Sequence, residues 1–195
     1  MCVRSQPQTT NHRPPTMIRV HDRTFRPFIR KEEIEEMVQN IADAVNRDFS
    51  GRELTLVVIL RGAMVFASDL MRRLNMPVTV EVLRASSYRD QMSSPGTVSL
   101  DDVVPDIVGR HVLIVEDIVD SGTTMRELIK HFSSYEPASL NVVALLSKPE
   151  LHQGRIQIDY VGREIAPDFV VGYGMDYAGQ GRNLDSIWIV DESNT

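Results

Sequence analysis

Residues 111–125 constrain the fold of this chain most strongly. They begin with an uninterrupted apolar run, residues 112–115, whose length and β-branching predict a strand buried on both faces. Two carboxylates, Glu116 and Asp117, end that run, and a small turn with hydroxyl side chains follows at residues 120–124. Apolar residues then recur at helical spacing (Met125, Leu128, Ile129, Phe132). The order is therefore strand, acidic pair, turn, helix.

The same order occurs earlier in the chain, where a buried strand at residues 54–60 is followed by Arg61, Gly62 and an apolar helix. Because strand, tight turn and helix alternate, we predict an α/β fold with a mostly parallel, Rossmann-like central sheet flanked by helices. The clearest helix is predicted at residues 31–48. Further strands are predicted at residues 18–27, 78–83, 140–146, 156–161, 169–173 and 187–190, and a long polar loop at residues 86–96.

Length and composition limit the domain count and the partners. We predict a single domain at residues 17–195, preceded by a disordered extension at residues 1–16 that is polar and contains prolines. The net charge of −6 argues against nucleic acid as a partner. No apolar run is long enough to span a membrane. The lone Cys2 cannot form an internal disulfide, which fits a reducing cytoplasm.

The turn after the acidic pair has the chemistry of a phosphoribosyl site. Ligands of open parallel sheets bind beyond the carboxyl ends of the strands. At a helix N-terminus, the hydroxyls and backbone N–H groups of residues 121–124 favour a phosphate. Glu116 and Asp117 would instead accept hydrogen bonds from sugar hydroxyls or bind a divalent cation. Neither the Walker sequence nor the dinucleotide-binding glycine pattern is present.

Residues 112–124 resemble the phosphoribosyl-pyrophosphate signature of type I phosphoribosyltransferases. The version Glu116-Asp117-Ile118-Val119-Asp120-Ser121-Gly122 is most similar to the hypoxanthine-guanine branch, and the resemblance covers about residues 24–192. It implies a small hood formed by the N- and C-terminal segments. It also implies a purine salvage enzyme that joins phosphoribosyl pyrophosphate to a 6-oxopurine (hypoxanthine or guanine) and gives IMP or GMP plus pyrophosphate. Mg²⁺ and a homodimer or homotetramer are implied as well.

The resemblance assigns roles within the signature. Asp120 matches an aspartate beside N7 of the purine, where a carboxylate can act as the general acid or base. Glu116 and Asp117 match the pair that holds the ribose hydroxyls and orients Mg²⁺. Ser121, Gly122, Thr123 and Thr124 match the 5′-phosphate loop, although many relatives have lysine in place of Thr123.

Further roles are implied outside the signature. Arg61 and Gly62 match the pyrophosphate loop, which contains a cis non-proline peptide and often has lysine in place of Arg61. Arg182 matches a second pyrophosphate ligand, and Asp176 matches a magnesium ligand. The purine-binding residues would be Lys148 on the 6-oxo group, Phe169 stacked on the ring and Val170 at the base edge. Ser87 and Tyr88 match the start of a loop that closes over the site.

Two alternatives remain open at this point. The first is an enzyme of the same fold with another base; Asp120 and Lys148 argue against a pyrimidine but do not distinguish hypoxanthine, guanine and xanthine. The second is a non-catalytic regulator that senses phosphoribosyl pyrophosphate and binds nucleic acid. Such a regulator should lose acid–base residues and gain a basic face, and this acidic chain retains the former.

Overall fold

The computed structural model describes residues 16–87, 98–100 and 106–192, which form two sheets and four helices. In chain order the elements are β1 (Ile18–Val20), β2 (Arg23–Ile29), α1 (Lys31–Asp48), β3 (Leu54–Leu60), α2 (Met64–Met71), β4 (Val78–Ser87), β5 (Val98–Leu100), β6 (His111–Val119), α3 (Thr123–Ser133), β7 (Ser139–Ser147), α4 (Pro149–His152), β8 (Tyr160–Glu164), β9 (Val170–Val171) and β10 (Ile187–Val190). None of the helices in these ranges combines the length and apolarity needed to cross a bilayer.

The larger sheet has the strand order β5-β4-β3-β6-β7-β8. Its other five strands, β3, β4, β6, β7 and β8, run parallel, and β5 pairs antiparallel with β4 at one edge. The predicted, mostly parallel sheet is therefore confirmed. Since β3 and β6 are neighbours at its centre, the turns that follow them meet at the same edge.

Helices cover both faces of this sheet because each has one apolar stripe to bury. The stripe of α1 includes Ile34, Val38 and Ile41, and it packs with α2 on one face. On the other face, α3 buries Leu128 and Phe132. The two cores hold the central strands rigidly, so the residues at their carboxyl ends have fixed positions.

A smaller antiparallel sheet joins the two ends of the described chain, with the order β1-β2-β10-β9. Its own core contains Val20, Phe25, Val171 and Trp188. This sheet is the hood that the resemblance implied, and its existence is confirmed. It stands beside the carboxyl edge of the larger sheet because β9 and β10 carry residues that pack into the α1 core, among them Val170 and Ile187.

Some predicted strand limits are wrong. The strand at 112–115 does not stop at the acidic pair: β6 continues to Val119, because β7 still pairs with it through Val119 and Ser147. The strand predicted at 156–161 starts at Tyr160, because Ile156 and Ile158 pack beside the α3 core without strand pairing. The loop predicted at 86–96 begins later, since residues 86 and 87 pair with β5. The rest of that loop lies outside the described residues.

Candidate active site

A cleft of about 290 Å³ opens at the carboxyl edge of the parallel sheet, where β3 and β6 end. Ten of the predicted site residues line it: Gly62, Glu116, Asp117, Asp120, Ser121, Gly122, Thr123, Thr124, Asp176 and Arg182. Four others, Arg61, Lys148, Phe169 and Val170, are not among its lining residues. Ser87 ends β4, and Tyr88 lies outside the described residues. The turn after β3, the turn after β6 and the loop between β9 and β10 (residues 172–186, the C-terminal loop) therefore meet at one cavity.

The acidic pair, Glu116 and Asp117, lies near the C-terminal end of β6. Asp117 is buried and Glu116 is half-buried. Burial raises the pKa of Glu116 well above its ordinary value, and the neighbouring charge of Asp117 raises it further. Burial also raises the pKa of Asp117, while the Arg182 guanidinium opposes that shift. Two carboxylates in this position favour a cation or a set of hydroxyl donors between them and the cleft.

Gly62 makes room for the acidic pair. A Cβ added to Gly62 would overlap the Asp117 carboxylate, so a side chain here would force that carboxylate to move. The peptide bond between Leu60 and Arg61 is cis, as the resemblance implied. Arg61 itself is exposed at the turn. The turn after β3 therefore presents backbone, and not side chain, to the carboxylates at the end of β6.

The small turn after β6 leads directly into α3. Gly122 precedes the helix with a φ of 73°, a left-handed conformation that favours glycine, and a Cβ there would lie 2.9 Å from the end of the Ile156 side chain, which would have to shift. The Ser121 hydroxyl lies 3.2 Å from the Thr123 hydroxyl. Because the first N–H groups of a helix have no partner within it, this turn offers an anion both donors and the positive end of the α3 dipole.

Lys148 and Asp120 form an ion pair beside the cleft. The distance from Lys148 Nζ to Asp120 Oδ1 is 2.6 Å, and the Lys148 side chain is only 8% exposed whereas that of Asp120 is 56% exposed. The Lys148 backbone N–H also donates to the Val119 carbonyl at 2.9 Å. The end of β7 is thereby tied to the end of β6, with an ammonium donor and a carboxylate acceptor side by side.

The C-terminal loop supplies a second ion pair. Arg182 Nη2 lies 2.5 Å from Asp176 Oδ1, and Arg182 Nη1 donates to the Gly174 carbonyl at 2.6 Å. Gly174 packs against the turn after β3, where an added Cβ would overlap the Gly62 carbonyl oxygen. This backbone contact brings Asp176 and Arg182 to the cleft.

Phe169 and Val170 belong to the hood. Val170 is buried in β9, whereas Phe169 is 40% exposed. The Phe169 ring contacts Tyr177 edge-on, with ring centroids 5.6 Å apart, and it lies 6.4 Å from the Phe25 ring. An exposed ring with a fixed aromatic support can stack on a planar ligand.

The donor set of the cleft fits Mg²⁺ that keeps ligands from its substrate. In the described ranges, no three side chains of His, Cys, Asp or Glu are grouped so as to hold a metal alone. Magnesium usually needs only one or two carboxylates plus substrate oxygens, which Glu116 and Asp117 could supply. Burial raises the pKa of both carboxyls because it penalises their charged forms, and a bound cation would offset that penalty. Asp176 is held by Arg182 and by the Gly179 N–H.

A family model for the phosphoribosyl transferase domain matches residues 30–178. The chain belongs to the phosphoribosyltransferase family. Its cleft, with an acidic pair followed by a phosphate-type turn, is the candidate active site.

Individual relatives of this phosphoribosyltransferase cover most of its length. It is 40% identical over 167 residues to the hypoxanthine-guanine phosphoribosyltransferase of Mycobacterium tuberculosis, covering 82% of this chain and 83% of that protein. Identity to the hypoxanthine phosphoribosyltransferase of Haemophilus influenzae is 43% over 135 residues, or 69% and 75% of the two chains. A crystal structure of a hypoxanthine-guanine phosphoribosyltransferase from Bacillus anthracis superimposes with a TM-score of 0.78 at 38% identity, covering 85% of this chain and 96% of that one.

Two supports of the phosphoribosyltransferase site were not predicted from the sequence. Gly174 makes the backbone contact with Gly62. Tyr177 follows Asp176 and contacts Phe169, and the hydrogen bonds of His21 and then of Tyr177 to Asp22 lower the Asp22 pKa to about 2. The aromatic next to a candidate metal ligand was the available signal for Tyr177. Gly174 had none, because its role depends on a turn more than a hundred residues earlier.

Proposed function

We propose that this phosphoribosyltransferase transfers the 5-phosphoribosyl group of phosphoribosyl pyrophosphate to hypoxanthine or guanine, giving IMP or GMP and pyrophosphate. The observation that carries the proposal is the pairing of buried Lys148 with Asp120 at the edge of the cleft. The names of the relatives from Mycobacterium tuberculosis and Bacillus anthracis support the same base class.

Lys148 would select the base. An ammonium has donors and no acceptor, so it favours the 6-oxo group of hypoxanthine or guanine and disfavours the 6-amino group of adenine. The side chain is 8% exposed, so little water could separate its ammonium from the donor group of adenine. A buried donor that faces another donor selects strongly against the wrong base.

Asp120 would act on the proton at N7 of the purine. Its carboxylate is half-exposed toward the cleft and already next to the Lys148 ammonium. A base bound to Lys148 through O6 would bring its N7 toward the same carboxylate, because O6 and N7 share one edge of a 6-oxopurine. Proton exchange there raises the nucleophilicity of N9, which is general acid–base catalysis.

The remaining residues would bind the two phosphate ends and the ring. Support for a 5′-phosphate site at residues 121–124 is the left-handed Gly122 at the N-terminus of α3, which makes no side-chain cap hydrogen bond. Arg182 and the turn at Arg61 and Gly62 would bind pyrophosphate, the first as a cation in the cleft lining. Phe169 would stack on the purine and the backbone of Val170 would read its edge. Ser87 and Tyr88 stay a prediction for the closing loop.

Mg²⁺ would be held by Glu116, Asp117 and substrate oxygens, with Asp176 as a further ligand if Arg182 turns to pyrophosphate. When bound, the ion would neutralise charge on the departing pyrophosphate. The protein's own contribution would be electrostatic: the acidic pair lines the cleft and would stabilise the positive charge that develops on the sugar as the C1–O bond to pyrophosphate breaks and the C1–N9 bond forms.

We further propose that the chain forms a homodimer through an exposed apolar patch made by Met64, Met71, Val80 and Val82. The two valines pair in register with Leu56 and Val58, whose side chains pack in the same core as α2. Val80 and Val82 therefore face the same side of the sheet as α2. Val82→Asp should shift the mass in solution, measured by light scattering, to that of a monomer. The homotetramer and the cytoplasmic location remain predictions.

The test is a spectrophotometric assay with phosphoribosyl pyrophosphate, Mg²⁺ and hypoxanthine, guanine, xanthine, adenine or uracil in turn. We expect turnover of hypoxanthine or guanine that is lost with EDTA and restored by added Mg²⁺. Turnover of xanthine alone would show that the enzyme is specific for xanthine. Binding of phosphoribosyl pyrophosphate without turnover of any base would overturn the catalytic proposal.

A further inference from the structure

A buried imidazole and a buried hydroxyl meet directly behind Lys148. His152 is 7% exposed and Ser147 is 2% exposed. The His152 Nε2 atom lies 3.0 Å from Ser147 Oγ. Neither residue lines the cleft, and neither has a part in the proposed chemistry. Burying two polar side chains is costly unless they bond to each other, so this pair must be satisfied within the fold.

The surroundings fix the tautomer of His152. The backbone N–H of Gly154 donates to His152 Nδ1 at 3.3 Å, so Nδ1 must be an unprotonated acceptor. The proton of the neutral ring therefore lies on Nε2, which donates to the Ser147 hydroxyl. The imidazole thus links the last residue of β7 to the turn that follows α4.

This link lies between Lys148, which would bind the base, and the turn at residues 121–124, which would bind the 5′-phosphate. Ser147 directly precedes Lys148, whose backbone carbonyl accepts from the Leu151 N–H at 3.0 Å. His152 also lies next to the turn at residues 121–124 (the phosphate turn). A Cβ added to Gly122 in that turn would be 3.4 Å from the His152 Cβ. Rotation of the β7 end would carry the Lys148 ammonium away from Asp120, and the bond to His152 resists that rotation.

We infer that His152, acting through Ser147, is a positioning residue that holds Lys148 at the 6-position of the purine. This inference rests on the proposed role of Lys148 in binding the 6-oxo group. The hydrogen bond orients the end of β7 before the base binds. Its loss would therefore weaken base binding and base discrimination, and it would leave the binding of phosphoribosyl pyrophosphate unchanged.

The chain offers variants that remove each half of the link. In His152→Asn the amide oxygen can replace Nδ1 as acceptor for Gly154, but the bond to Ser147 is lost. In His152→Gln the longer amide can still donate to Ser147. Ser147→Ala removes the hydroxyl from the other side. The matched control is Ser139→Ala, because Ser139 begins the same strand and also bonds an imidazole, with its Oγ 2.9 Å from His111 Nδ1.

The measurement is KM for hypoxanthine, KM for phosphoribosyl pyrophosphate, kcat, and the ratio of kcat/KM for hypoxanthine to that for adenine. We expect His152→Asn and Ser147→Ala each to raise KM for hypoxanthine about 5- to 10-fold, the effect of one lost hydrogen bond. KM for phosphoribosyl pyrophosphate should stay at the wild-type value, and His152→Gln should be milder than His152→Asn. The Asn and Ala changes together should be no worse than either alone, because both remove one bond.

Other results would overturn the inference. They are an equal rise in both KM values, independent addition of the His152→Asn and Ser147→Ala effects, or the same rise in KM for hypoxanthine from Ser139→Ala. Each would indicate general loosening instead of positioning. Wild-type protein that turns over neither hypoxanthine nor guanine would instead overturn the proposed function, and the two failures are distinguishable in the same assay.

Discussion

Asp120→Asn separates the charge of the carboxylate from its shape. The amide oxygen can still accept a hydrogen bond from Lys148, but the ion pair is lost. At the 2.6 Å separation of the two atoms, Coulomb attraction is worth about 1.6 kcal/mol in water and about 6 kcal/mol at a dielectric constant of 20. Because Asp120 is 56% exposed, we expect a net loss near the lower value, about 1–2 kcal/mol. For a chain of this length, that lowers Tm by about 2–8 °C.

The effect on the rate should be larger than the effect on stability. General acid–base catalysis contributes about 100- to 10,000-fold, so kcat should fall by that factor if Asp120 exchanges the N7 proton. Loss of 1–2 kcal/mol of binding alone would account for only about 5- to 30-fold. KM for phosphoribosyl pyrophosphate should change little, since the phosphate turn uses residues 121–124.

Steady-state assays with hypoxanthine would measure kcat and both KM values, and calorimetry would measure Tm. Asp106→Asn is the matched control, because Asp106 Oδ2 also lies 2.6 Å from a cation, Arg110 Nη2, at the opposite edge of the sheet. It should leave kcat at the wild-type value. A kcat for Asp120→Asn within tenfold of wild type would refute the acid–base role.

Three further predictions concern the same cleft. Lys148→Ala should lower the preference for hypoxanthine over adenine in kcat/KM, and unchanged preference would place the 6-oxo contact elsewhere. Gly62→Ala should cost about 1–3 kcal/mol of stability by overpacking against Asp117, seen as a lower Tm, together with a loss of kcat; wild-type Tm and kcat would contradict the contact. Glu116→Gln should raise Tm of the metal-free protein. Because burial raises the pKa of Glu116 in the folded state, the wild-type fold loses stability as the pH rises from the ordinary carboxyl pKa to that raised pKa, and the glutamine variant avoids this loss. The gain in Tm should therefore be largest at alkaline pH and shrink as the pH falls; a constant or opposite difference would show that the carboxyl is not destabilising.

Element limits that depend on residues close in sequence were predicted well, and limits that depend on pairing with a distant strand were not. The limits of α1, β3 and β10 were predicted to the residue, because their apolar period and flanking breakers act within a few residues. The predicted end of β6 is wrong because polar side chains do not by themselves end strand pairing, and its neighbour β7 continues alongside. The start of β8 was missed because the apolar residues before it are buried without pairing.

The site shows the same division. Residues 116–124 are contiguous, so their chemistry was evident from the sequence, and the cleft brings them together. Lys148, Asp176 and Arg182 are isolated in sequence and were placed only by resemblance to a family. The contact of His152 with Ser147 gave no signal at all, since it exists only because α4 turns the chain back under the end of β7.

The hood is made from both ends of the described chain, with β10 lying between β2 and β9. Phe169 and Val170 depend on this arrangement for their positions, whereas the acidic pair and the phosphate turn belong to the middle of the chain. Under the proposed function, the ring that stacks on the base belongs to this sheet, whereas Lys148, which selects the base, follows β7 in the middle of the chain. Shortening the chain at its C-terminal strand would therefore weaken the stacking of every purine without changing which 6-substituent is preferred.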